Sequence, residues 1–195
     1  MSRHEITRAD ILPVADYAKV RAEKRKALTA VKKNRRVEVG PYVTFYFENY
    51  DTMWQQVHEM LYIERGGEEQ IADELAAYNP LIPKGAELIT TFMIEIDDPE
   101  KRKRMLARLG GIEATAFIQI GTEKIPCKAE ADQDRTTADG KASSVQFVHF
   151  PFTKAQIEAF RKPGTPVIVG LAHENYGHMA VLPEPARAEL AKDFD

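Results

Sequence analysis

A single cysteine, Cys127, in 195 residues leaves no intramolecular disulfide framework to draw. No apolar run approaches the roughly 18 residues needed to span a bilayer. The opening stretch MSRHEITRADILPV lacks the apolar centre and small-residue cleavage site of a secretory signal. These absences predict a soluble cytoplasmic protein with no membrane partner. Reaction motifs are equally sparse. GxSxG, the turn that exposes a nucleophilic serine, does not occur, and His58-Glu59 is followed by Tyr62 where HExxH requires histidine. Gly66-Gly67 and Gly110-Gly111 follow predicted helices rather than precede them, the wrong order for a helix N-terminus to face a phosphate.

What is present is a strong charge asymmetry. The net charge is −3, yet the segment from Lys19 to Arg36 holds nine Lys or Arg against the one acid Glu23. The rest of the chain is correspondingly acidic. A dipolar molecule of this kind can offer its basic segment to an acidic protein, to nucleic acid, or to its own acidic half. Lys24, Arg25, Lys32, Lys33, Arg35 and Arg36 are the candidate partner-binding residues. Nucleic acid is the weaker reading, because no zipper heptads or helix-turn-helix spacing accompany the cations, and a core explains the strand-borne Tyr42, Phe45, Tyr46 and Phe47.

The periodicity predicts an α+β fold. Pro13 to about Lys33 reads as one long helix capped by Asp10, with Tyr17, Val20, Ala27, Leu28 and Val31 as a narrow apolar stripe. At Arg35 the composition turns β-branched and aromatic, giving a short strand, a kink at Gly40-Pro41, and a strand over residues 42–48. Asn49 or Asp51 then caps a helix to about Arg65, and a third helix ends at Asn79-Pro80. Beyond NPLIPKG the pattern is mostly β. Six strands, one of them Ile112 to Ile120, are predicted with helices near 98–109 and 153–161, an antiparallel sheet curled into a barrel or sandwich. The expected organisation is a mainly helical part, 1–84, packed on a β part, 85–195, or the two merged in one compact domain. The polar stretch 132–144 reads as a connector or a lid.

Chemistry-bearing residues are few. A hairpin turning through Glu174 to Gly177 would set His173 and His178 opposite one another, within reach of His149 on the same sheet. Three imidazoles so placed would hold a divalent transition metal; the plainer reading is rim histidines bonded to loop backbone. His58 reads as a solvated helix flank, and Cys127 as an inert core thiol. Glu64 falls in line with Met53, Val57 and Met60 on the apolar face of its helix, so it is either at a frayed end or buried with a partner such as Arg35, Arg36 or Lys84. Glu48 and Asn49, at the strand-helix junction, read first as a capping pair and second, with Gln56 and Glu64, as the candidate polar pocket.

Phe47-Glu48-Asn49, Asp51-Thr52-Met53 and the run from Gln56 to Leu61, together with RRVEVGPYVTFYFEN and IPKGAEL, resemble a bacterial family known as a domain of unknown function of about this length. The likeness covers most of the chain. Its members are often encoded beside rubrerythrin-like di-iron proteins and iron–sulfur oxidoreductases. The resemblance therefore implies an accessory role near peroxide or electron-transfer chemistry, with an acidic protein of that kind as partner. It implies no catalytic residue. His58 stands where the family pattern leads one to expect glutamine, which argues against that histidine as a ligand shared by the family.

Overall fold

The computed structural model describes residues 3–129, 136–137 and 140–195. Residues 132–135 and 138–139 of the predicted 132–144 connector or lid therefore lie outside the described residues. The elements are α1 (Val14–Lys33), β1 (Arg36–Val39), β2 (Val43–Glu48), α2 (Tyr50–Glu64), α3 (Gly67–Tyr78), β3 (Glu87–Ile94), α4 (Pro99–Leu106), β4 (Ala116–Ile120), β5 (Glu123–Pro126), β6 (Lys128–Ala129), β7 (Val145–Pro151), α5 (Lys154–Arg161), β8 (Val167–His173), β9 (Tyr176–Val181) and α6 (Glu184–Leu190).

The α+β class holds, but no barrel closes. The strands form two open antiparallel sheets, one of order β1-β2-β3-β7-β6 and one of order β5-β4-β8-β9. The side-chain period of two explains the layers. Val43, Phe45 and Phe47 of β2 and Leu88, Phe92 and Ile94 of β3 face a core shared with Ile118, Ile120, Val167, Val169 and Leu171 of the second sheet. The opposite face of the first sheet, at Ile89 and Phe147, packs on Met53, Val57 and Leu61 of α2. The first sheet is thus the middle of three layers, and β2 pairs with β3 over six residues from Val43↔Ile94 to Glu48↔Ile89. The two sheets also meet at their edges. The Tyr176 hydroxyl donates to Val39 O at 2.9 Å and accepts from Tyr42 N at 2.9 Å and Val43 N at 3.1 Å, tying β9 to the β1–β2 turn.

Three local expectations change. Asp10 does not cap α1: it ends a short 3-10 turn, where its carboxylate accepts from Thr7 N at 2.8 Å and pairs with Arg3, and Pro13 precedes the first helical residue instead. The alternating run from Ile112 does not extend throughout, because Gly111, at φ 78°, opens a 3-10 turn over Ile112–Thr115 and the strand begins only at Ala116. The last hairpin is tighter than expected: His173 pairs with Tyr176, and Leu171 with His178.

Candidate functional site

α1 is a 20-residue helix in which only Tyr17 and Leu28 are buried. Its first half is held firmly on α2. Arg21 grips Glu59 through Nε to Oε1 at 2.9 Å and Nη2 to Oε2 at 2.7 Å, the Tyr17 hydroxyl donates to the same carboxylate at 2.7 Å, and the Arg21 guanidinium lies 4.6 Å from the Tyr62 ring centre. Hydrogen bonds from Arg21 hold the Glu59 carboxyl below its usual range, against burial, which acts to raise it. Further along, Lys24, Arg25, Lys26, Lys32 and Lys33 are all exposed. Among the described residues, none of these five forms a salt bridge; the Lys24 ammonium instead lies 5.6 Å from the centre of the Trp54 ring. The result is a group of exposed cations without salt bridges on a firmly seated helix, Arg25 among them acting on the Glu59 carboxylate.

Arg35 and Arg36 behave differently from their neighbours. Arg36 pairs with Glu38 at 3.1 Å on the surface. Arg35 is 2% exposed and turned inward. Its guanidinium donates to Phe47 O at 2.9 Å, to Glu48 O at 3.0 Å and bidentately to Asp193, with Glu189 3.6 Å away. Burial pushes the Asp193 carboxyl up while Arg35 pulls it down, burial prevailing. Arg35 therefore fastens the end of α1 to the C-terminal segment and offers nothing to a partner. The missed signal was its parity: residues 35, 37 and 39 are buried while 36 and 38 are exposed.

The polar pocket assembles in part. Glu48 is buried and accepts from the Thr52 hydroxyl at 2.7 Å. Together with Gln56, Lys32, Arg35, Tyr46 and Thr91 it lines a cleft of about 310 Å³. Asn49 caps α2 by accepting from Thr52 N at 3.0 Å and faces a neighbouring cleft of about 440 Å³, with Arg3, Tyr50, Asp51, Lys192 and Asp193. A third cleft, of about 370 Å³, runs between the second half of α1 and the first turns of α2. Glu64 joins none of these; it is exposed at the end of α2 and accepts from Gln70 at 2.8 Å.

The histidines are dispersed. His149 meets Glu87 at 3.1 Å on the helix-side face of the first sheet. His173 accepts from Asn175 N at 3.1 Å, which leaves its other nitrogen to donate to Gly110 O at 3.2 Å. His178 is exposed, its ring 4.5 Å from that of Tyr176. Among the described residues no three His, Cys, Asp or Glu side chains converge as a metal site. His58 is not a solvated flank: it is 1% exposed, stacked 3.8 Å from Trp54, and accepts from Leu12 N at 3.0 Å. That bond fixes its tautomer, so the Nδ1–H donates to Trp54 O at 2.7 Å. Burial lowers its pKa below 6.5. Cys127 is half-buried, its thiol 3.0 Å from Glu113 O and pushed up by burial to about 11, far from thiolate reactivity at neutral pH.

Two open antiparallel sheets with helices packed on one of them, and a first helix that carries exposed cations along its second half, define an α+β protein. The chain belongs to the family described as protein of unknown function DUF3501, whose model matches residues 5–194. It is similar to a protein of unknown function from Burkholderia pseudomallei K96243, known from a crystal structure at 1.90 Å resolution. The two are 35% identical with a TM-score of 0.89, over 97% of this chain and 99% of the other. No curated protein matches. Among the described residues, no helix is long and apolar enough to cross a membrane.

Proposed function

We propose that the protein is an accessory binding protein whose docking face for an acidic protein partner is the exposed side of α1. The observation that carries this reading is the set of five exposed cations, Lys24, Arg25, Lys26, Lys32 and Lys33, with no salt bridge among the described residues. Like charges crowded on one helix repel one another, and a partner that supplies acidic groups would relieve that repulsion. The neighbourhood implied by the family resemblance makes rubrerythrin-like and iron–sulfur proteins of a cytoplasmic redox system the first partners to try.

Co-purification of the untagged protein with a tagged candidate of that kind, repeated with Lys24, Arg25, Lys32 and Lys33 changed to glutamate, tests the interface. Association should be lost in the variant and should weaken steeply with salt in the parent. Association that survives both the reversal and high salt would remove α1 as the docking face.

A further inference from the structure

The cleft of about 310 Å³ between the first sheet and the start of α2 holds a buried acid without a counterion. Glu48 is 8% exposed, and its Oε2 accepts from the Thr52 hydroxyl at 2.7 Å. Among the described residues, its Oε1 accepts no hydrogen bond and the carboxylate forms no salt bridge. That second oxygen is not occluded either, so it opens onto the cleft that Glu48 lines. Arg35 lines the same cleft, but its guanidinium is committed to Asp193 and to the backbone carbonyls of Phe47 and Glu48. Lys32, the other cation of the lining, is exposed and pairs with no acid among the described residues. A carboxylate withdrawn from water is costly unless a positive or hydrogen-bond-donating group meets it, so the missing group comes from outside the chain.

The rest of the lining gives that group its chemistry. Two further oxygens lack a donor among the described residues: the hydroxyl of Thr91, which is 6% exposed, and the carbonyl oxygen of Gln56, whose amide nitrogen donates to the Tyr78 hydroxyl at 3.3 Å. With Glu48 they make three acceptors, the number of N–H donors on a primary ammonium. Met53 and Met93 supply adaptable apolar wall for a short hydrocarbon body, and the volume, near the lower end of the roughly 300–1,000 Å³ usual for ligand clefts, suits a compact molecule. Lys32 does not cancel Glu48, because an exposed ammonium is screened by water and salt while a buried carboxylate is screened much less. We infer that the cleft binds a small primary amine in its protonated form, the ammonium on Glu48 and the alkyl chain against Met53 and Met93. The groups that hold it lie on β2, β3 and α2, apart from the cationic face of α1.

Calorimetric titration of the intact protein with pentylammonium and with pentanol, which keeps the hydrocarbon and drops the charge, tests the site. Pentylammonium should bind saturably and pentanol about tenfold or more weakly. Glu48→Gln keeps an oxygen for Thr52 and should weaken pentylammonium about tenfold or more, as should Thr91→Leu, which intrudes on the cleft; Lys32→Ala should leave it within about threefold. The methyl resonances of Met53 and Met93, two of the six methionines, should move during the titration and locate the ligand. Norleucine, which is pentylammonium carrying an α-carboxylate, separates the sources of the ammonium. Tighter binding that falls on Lys32→Ala marks a free amino acid, and equal or weaker binding marks a simple amine. Should Glu48→Gln fail to fold, the pentanol comparison, Thr91→Leu and the methyl shifts carry the test. The site is overturned by no saturable binding of pentylammonium, or by an affinity unchanged in Glu48→Gln. Binding that appears only in Lys32→Ala overturns it too, since Lys32 then closes on Glu48 as its own counterion.

Discussion

Two buried polar residues set the stability of the helical layer, and their consequences differ in kind. Arg35 reaches two backbone carbonyls and both oxygens of Asp193 from a site 2% exposed. Arg35→Met strands the Asp193 charge and should cost about 3–5 kcal/mol in urea unfolding. Arg35→Lys should recover little of it, because one ammonium cannot reproduce the planar fork. His58 acts through pH. Its folded pKa lies below the 6.5 of the free side chain, so the unfolded chain takes up the proton first. Its contribution is complete above pH 6.5 and shrinks as pH falls toward the folded value. The melting temperature should accordingly drop on acidification through this range. His58→Phe should be less stable at neutral pH by about 1–3 kcal/mol, from the unpaired Leu12 amide, and show a flatter acid slope.

At the level of elements, the junction between the sheets is the most exacting. Gly40, at φ 72°, turns the chain between β1 and β2, and a Cβ there would lie 2.6 Å from Cγ of His178. Gly40→Ala meets both a disfavoured dihedral and a ring pressed against it, so a loss of about 1–3 kcal/mol is expected by thermal unfolding. Tyr176→Phe leaves Val39 O and two amides without their shared hydroxyl and should cost a similar amount, about 1–3 kcal/mol. Nearly every element was legible in the residues: Asn49 as a cap, the aromatic alternation of β2 and the stop at Asn79-Pro80 all act locally. Beyond the local corrections at Asp10, Ile112 and the last hairpin, what escaped was non-local. Nothing near His58 in the chain announces that Leu12, 46 positions away, lays its amide on the imidazole, or that the partner of Arg35 is Asp193. The histidine trio failed because His149, on β7, lies in the other sheet from His173 and His178, and because a hairpin two residues tighter than expected moved His178 opposite Leu171.

For the molecule as a whole, the charge asymmetry read from composition becomes a spatial one. Among the described residues, the salt bridges that neutralise α1 lie in its first half, from Asp16 to Lys19 and from Glu59 to Arg21. Exchanging Lys24, Arg25, Lys32 and Lys33 for glutamate should leave circular dichroism and melting nearly unchanged, since exposed substitutions each shift stability by about ±0.5 kcal/mol. A collapse of the fold would show instead that these cations serve the protein's own acidic half. The chain ends bear on every such experiment. His4 lies 3.0 Å from Asp195, whose amide donates to Gly85 O at 3.0 Å, and Arg3, Lys192 and Asp193 border the same cleft. Residues 3–4 and 192–195 therefore sit together at the cleft of about 440 Å³ that Val31 of α1 also lines. A label coupled at residue 4 or 195 would therefore stand beside that cleft, and substitutions at Gly85 would be felt there.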